Sequence, residues 1–304
     1  MRNASGPAAV LAVMVAGAFG PAAWSAAQAG APGGLVQFAP HRAVYDITLE
    51  RAASGSGVVE LAGRMVYELN GSRCEGYTQN MRFVTRVLSQ DGTEQLNDLR
   101  TSTWEDGAGN RLRFNSEQYR DAKLVETTVG DAQREGEGGP IRVKVARPDK
   151  QQDEIDGLNL FPMQHSTALL VAAEKGQHQF VTGLYDGSEK GEKVYQTSAW
   201  IGSRNAAGKT AGLPAGLEKL RSWPVSIAYF DPGSESKDAL PAYELSFSIF
   251  ENGVSTDMNI DYGDFAVRGQ LKELTLFTGS QCNGGAAGGK AGADGANPGG
   301  VIKP

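Results

Sequence analysis

Between residues 41 and 277, hydrophobic and polar positions alternate in one segment after another, the two-residue period of half-buried strands. The stretch from Gly57 to Leu88 shows it most fully. Val59, Leu61, Gly63, Met65, Tyr67 and Leu69 alternate with Glu60, Ala62, Arg64, Val66 and Glu68. Past Asn70-Gly71-Ser72-Arg73, the residues Tyr77, Met81, Phe83 and Val87 share one face, and Arg82 and Arg86 take the other. Asn-Gly suits a type I′ turn because both residues tolerate positive φ. The pattern predicts a long hairpin with one dry and one wet face, turning at Asn70–Arg73, with Cys74 opening its second strand.

The same reasoning predicts strands at Arg42–Arg51, through Leu96, Leu99 and Trp104, and at Arg111–Arg120, Lys123–Asp131 and Pro140–Ala146. The period then changes. Phe161-Pro162-Met163-Gln164-His165 leads into a segment whose Met163, Leu169, Leu170 and Ala173 recur at helical spacing. Pro162 fits a first helical turn and Gly176 fits the position just past the end. Strands resume at Gln179–Tyr185, Lys193–Ile201, Ser222–Phe230, Ala242–Phe250, Val254–Tyr262 and Phe265–Phe277. About twelve to fourteen strands with short turns is the count of a large antiparallel barrel-like or wrapped sheet. The expected fold class is therefore mainly β, a single large antiparallel curved sheet with one helix covering an opening or edge. No shift in composition splits it into two domains.

The N-terminus alters the setting. Arg2 precedes an apolar run from Ala8 to Ala23, and Ala27-Gln28-Ala29 offers a small-residue cleavage site. This is the pattern of a secretory signal peptide over residues 1–29, cleaved after Ala29 or Ala27. No later apolar run approaches the roughly 20 residues that cross a bilayer. The expected location is an exported compartment, with a domain over residues 30–282. A Gly/Ala-rich tail over residues 283–304 reads as disordered. Export also bears on the two cysteines, Cys74 and Cys282, since a pair in an oxidising compartment usually forms one disulfide. The net charge of −6, with signs interspersed, argues against nucleic acid or an anionic membrane surface as the main partner.

Catalytic templates fail in turn. There is no G-x-S-x-G elbow and no H-E-x-x-H, and His41, His165 and His178 have no partner at zinc spacing. Gly208-Lys209-Thr210 lacks a glycine at phosphate-loop spacing. The carboxylates Asp153-Glu154-Ile155-Asp156 and those from Asp257 to Asp264 read as solvated loops and turns, outside the calcium-loop pattern. No catalytic residue, cofactor or metal is expected. Trp104, Phe161, Trp200, Trp223 and Tyr229 are candidates to line an apolar cavity, against the alternative that they are sheet core.

Four segments carry a resemblance: Leu160-Phe161-Pro162-Met163-Gln164-His165, Ser222-Trp223-Pro224-Val225, Leu240-Pro241-Ala242-Tyr243-Glu244 and Tyr262-Gly263-Asp264-Phe265. Together with the leader and the placement of Cys74 and Cys282, they resemble the EipB family of periplasmic cell-envelope integrity proteins of alphaproteobacteria. The resemblance spans roughly His41 to Cys282. It implies a β-spiral fold, a Cys74–Cys282 disulfide and a monomeric periplasmic protein linked functionally to a tetratricopeptide-repeat protein. It carries over no catalytic residue. Three functions are compatible with the residues: a non-enzymatic protein acting through protein–protein contacts, a carrier of a lipid, acyl chain or lipoprotein in the concave face, and a hydrolase with paired carboxylates.

Overall fold

The structure, a computed structural model, describes residues 36–206, 213–232 and 239–279. The expected leader over residues 1–29, Gly208-Lys209-Thr210, Cys282 and the tail from residue 283 lie outside the described residues. Fifteen strands and one α-helix occur among the described residues. A first meander holds β1 (His41–Ala52), β2 (Val58–Ser72), β3 (Gly76–Ser89), β4 (Glu94–Glu105), β5 (Arg111–Arg120), β6 (Lys123–Arg134), β7 (Ile141–Arg147) and β8 (Gln151–Ile155). The two-residue β9 (Asn159–Leu160) and the helix α1 (Pro162–Glu174) follow. A second meander holds β10 (Gln179–Leu184), β11 (Tyr195–Ile201), β12 (Ser222–Phe230), β13 (Tyr243–Phe250), β14 (Ser255–Asp261) and β15 (Phe265–Leu276).

All fifteen strands belong to one sheet, in the order β8-β7-β6-β5-β4-β3-β2-β1-β15-β14-β13-β12-β11-β10-β9. The first and last strands meet at its centre, antiparallel from His41 opposite Leu276 to Ala52 opposite Phe265. The two free ends of the sheet then curl towards each other into a nearly closed, barrel-like form. Near that closure Phe161 and Tyr185, at the β9 end, share a core cluster with Leu112, Phe114, Val143 and Val145 of β5 and β7. Tyr185 meets the ring of Phe114 edge to face, and the Gln151 amide donates to Glu192 across the gap at 3.0 Å.

Buried apolar side chains of the two meanders gather into core clusters, and α1 packs in one of them. Met163, Leu169, Leu170, Ala172 and Ala173 pack with Leu69 and Tyr77 of the first meander and with Trp223, Val225 and Ile227 of the second. The helix starts at Pro162 and ends before Gly176, whose φ of 70° is the left-handed cap conformation. It is a packed element of the core as well as a cover.

Some sequence expectations need correction. The hairpin turns at Arg73-Cys74-Glu75, and Asn70-Gly71 continues β2 in register with Thr78 and Tyr77. Cys74 is thus in the turn and does not open β3. Alternation fixes which face a residue takes but not where a strand stops, and Gly71 accommodates the twist with a φ of 99°. Val59 is 54% exposed, because the pairing shifts between Val58 and Glu60. Asp153-Glu154-Ile155 is strand β8, paired with β7, since an edge strand tolerates charge on its exposed face.

Gly71 is also a point of close approach, where a Cβ would stand 2.1 Å from the Gly76 carbonyl oxygen. Gly71→Ala is expected to cost about 1–3 kcal/mol from backbone strain, besides the steric conflict. A lower urea midpoint with an unchanged slope is the signature to look for.

Candidate binding site

A concavity lies on the polar face of the first meander. It is a trough of roughly 1590 Å³ running from β2 to β8. Cross-strand register lays its walls out in rows. One row runs Thr78, Trp104, Arg113, Asp131, Lys144, Gln152, each opposite the next on the neighbouring strand. The next runs Glu68, Asn80, Ser102, Asn115, Val129. A third runs Val66, Arg82, Arg100, Glu117. Thr101, Thr103, Phe114, Gly130 and Val145, at the alternate positions of the same strands, also line it.

Electrostatics hold this surface in shape. Asp98 sits between Arg82 at 3.0 Å and Arg100 at 2.7 Å. Its partial burial pushes the carboxyl up, but hydrogen bonds from Arg100 and Arg82 outweigh that and hold it below its ordinary value. Ser102 donates to Asn80 at 2.8 Å, Tyr119 donates to Glu117 at 2.9 Å, and the Arg113 guanidinium lies 5.4 Å from the Trp104 ring centroid.

Behind the trough a buried polar cluster joins the meander to α1. Phe161 offers no side-chain acceptor at the N-cap, and Pro162 has no N–H. The first free donors of the helix, the N–H groups of Met163 and Gln164, are accepted by the Glu105 carboxylate of β4 at 2.7 and 2.9 Å. Burial pushes that carboxyl up to about 8, although the two N–H groups pull the other way. Arg134 of β6 completes the cluster, donating to the Asn159 carbonyl at 2.6 Å and lying over the Phe161 ring.

On the outer face of the second meander, Trp200 is 56% exposed and Val181 is 66% exposed. They are diagonal neighbours, since Trp200 pairs with Gln179 and Val181 with Ser198. The Trp200 ring also borders Gly202 and Pro224.

The five aromatic residues singled out in the sequence are not brought together. Trp104 lines the trough. Phe161 is wholly buried near the sheet closure, and Trp223 and Tyr229 are buried in the core around α1. Trp200 faces outward on the opposite meander. The histidines are structural too. His41 donates to the Ala39 carbonyl and His178 to the Ile201 carbonyl. Burial brings His165 down to about 4, so it is neutral, and its Nε2–H donates to the Thr197 hydroxyl, which itself donates to Thr182. No group of three or more His, Cys, Asp or Glu side chains among the described residues could hold a metal. No helix among them is long and apolar enough to cross a membrane.

Alternation in the sequence marked the polar face but not its concavity, which arises from the bend and twist of long strands. Glu105 carried no signal at all. In sequence it is one more acidic residue beside a turn, and only the fold brings it under α1.

A family model described as EipB-like matches residues 32–278. The cell envelope integrity protein EipB of Brucella abortus (strain 2308) is 41% identical over 243 residues, which cover 80% of this chain and 85% of that protein. A crystal structure of a beta-barrel-like protein of a domain of unknown function, also from Brucella abortus, is similar with a TM-score of 0.74 and 40% identity, covering 80% of this chain and 100% of that one. On the span of the family match and the identity to this relative, the chain belongs to the EipB-like family.

Proposed function

We propose that the protein supports cell-envelope integrity in the periplasm, as a non-enzymatic scaffold that acts through protein–protein contacts. Its relative bears the name of an envelope integrity protein, and neither that name nor the family description points to catalysis. The observation that carries the contact reading is the outward pair Trp200 and Val181 beside Pro224. Tryptophan is among the residue types enriched at the energetic centre of interfaces. A tetratricopeptide-repeat protein of the same compartment is the partner that the family resemblance suggests.

The Cys74–Cys282 disulfide belongs to this reading. His41 faces Leu69 of β2 on one side and Leu276 of β15 on the other, so β2 runs past the start of β1 and β15 ends level with it at the same end of the sheet. Cys74 lies in the turn just past β2, and Gly279 already lies against Pro40. The chain beyond Gly279 needs about three more residues, roughly 10 Å of extended backbone, to reach Cys282.

Carriage of a lipid, acyl chain or lipoprotein is less well supported. It needs room on the concave apolar face, and there α1 and the core clusters fill the space between the meanders.

A photo-crosslinker at Ser198, exposed between Trp200 and Val181, tests the reading in intact cells. One recurring soluble protein partner is expected, and Trp200→Ala should cut its recovery about tenfold or more, as for a central interface residue. Crosslinks to lipid, or a partner indifferent to Trp200→Ala, would count against it.

A further inference from the structure

We propose that the trough on the first meander is a second binding site, and that its ligand is an acidic linear polysaccharide. The proposal is independent of the Trp200 surface, which lies on the other meander.

Three features of the trough point to this ligand. The first is charge. Arg82, Arg100, Arg113, Lys144 and Lys150 line it, against Glu68, Glu117 and Asp131. With Asp98 added the trough keeps a net positive charge, on a chain whose net charge is −6. Arg82 and Arg100 are committed to Asp98, whereas Arg113, Lys144 and Lys150 make no ion pair among the described residues. A polyanion is therefore favoured there, and a neutral or cationic chain is not.

The second feature is the type of side chain. The middle row presents Glu68, Asn80, Ser102 and Asn115, flanked by Trp104. Amides and hydroxyls both donate and accept, which matches sugar hydroxyls that do the same. A bound peptide would gain little from the backbone, because mid-sheet N–H and C=O groups are already paired with neighbouring strands and leave no edge for an added strand.

The third feature is the repeat. Successive members of each row sit on successive strands, about 4.8 Å apart, so the five intervals of the longest row, Thr78 to Gln152, give a site about 24 Å long. That spacing is close to the length of one sugar in an extended chain. A regular polymer then meets a donor or acceptor at each residue, so affinity grows with the number of sugars.

The test uses the purified mature chain and three probes: a hexamer of galacturonic acid, cellohexaose as a neutral counterpart, and a hexaglutamate peptide. The galacturonate hexamer is expected to bind, more weakly as salt rises, and more tightly than its own dimer. Arg113→Glu and Lys144→Glu, both at exposed positions, should each weaken it about tenfold or more while leaving the melting temperature unchanged. Asn115→Ala, which alters no charge, should also weaken it. Trp200→Ala should leave it intact. Absence of binding, equal binding of cellohexaose, or equal binding of hexaglutamate would overturn the proposal. So would affinity that survives both charge reversals.

Discussion

Replacing Glu105 with alanine is expected to destabilise the fold by about 3–5 kcal/mol, since two buried N–H groups left without an acceptor cost about 1–3 kcal/mol each and the lost side chain leaves a cavity. Two N–H groups at the start of α1 lose their acceptor in a place that water does not reach. The helix joins both meanders, so the loss is felt across the core. A fall in denaturation midpoint beyond that of Gly71→Ala would bear this out; a midpoint close to wild type would mean that water or Gln164 replaces the carboxylate.

The same residue gives a pH signature. Glu105 holds its proton to about 8 in the folded chain and releases it near 4.5 when unfolded. Between those values the folded state binds the extra proton, so this group makes stability fall as pH rises. His165 works in the opposite sense. Its folded value of about 4 lies below the ordinary 6.5, so its contribution to stability grows as pH rises from 4 to 6.5. The two trends oppose each other up to pH 6.5, and above it Glu105 acts without that opposition. Denaturation curves at pH 6.5 and 8 should show wild type losing stability relative to Glu105→Gln, which keeps an acceptor and cannot ionise. Parallel losses in the two proteins would remove Glu105 as the cause.

Cys74→Ser is expected to give a folded protein that is less stable by as much as about 5 kcal/mol, on the proposal that Cys74 pairs with Cys282. The figure follows from a closed loop of about 209 residues in the unfolded chain, and it is an upper value. The substitution should lower the melting temperature and, in cells, the abundance of the protein. Reductant should lower the melting temperature of wild type to that of the variant. Melting that ignores reductant would show that the bond is absent or does not constrain the unfolded chain.

Much of the fold was legible because half-buried strands write their period into the sequence. Arg111–Arg120 and Ser222–Phe230 are strands with the expected ends, and α1 begins at Pro162 as its residues require. What was not legible depends on distance along the chain. Asn159–Leu160 is too short to show a period, and its pairing with Gly183 and Leu184 is decided by α1 folding back between them. The trough could not be read either. Glu68, Asn80, Ser102 and Asn115 are ordinary solvated positions strand by strand, and become a row only through register across four strands. Trp104 and Trp223 look alike in sequence, yet one lies on the polar face and the other in the core.

The central seam between β1 and β15 sets the order in which this protein completes itself. Among the strands described, β1 is made first, and its second neighbour β15 is made last, more than 200 residues later. Until then β1 has one open edge, of the kind that invites pairing with other chains. Arg42, Asp46 and Glu50 put charge along that strand. The sheet is thus finished from its middle by a contact between strands more than 200 residues apart, the kind of topology that folds slowly and gains most from protection while it waits.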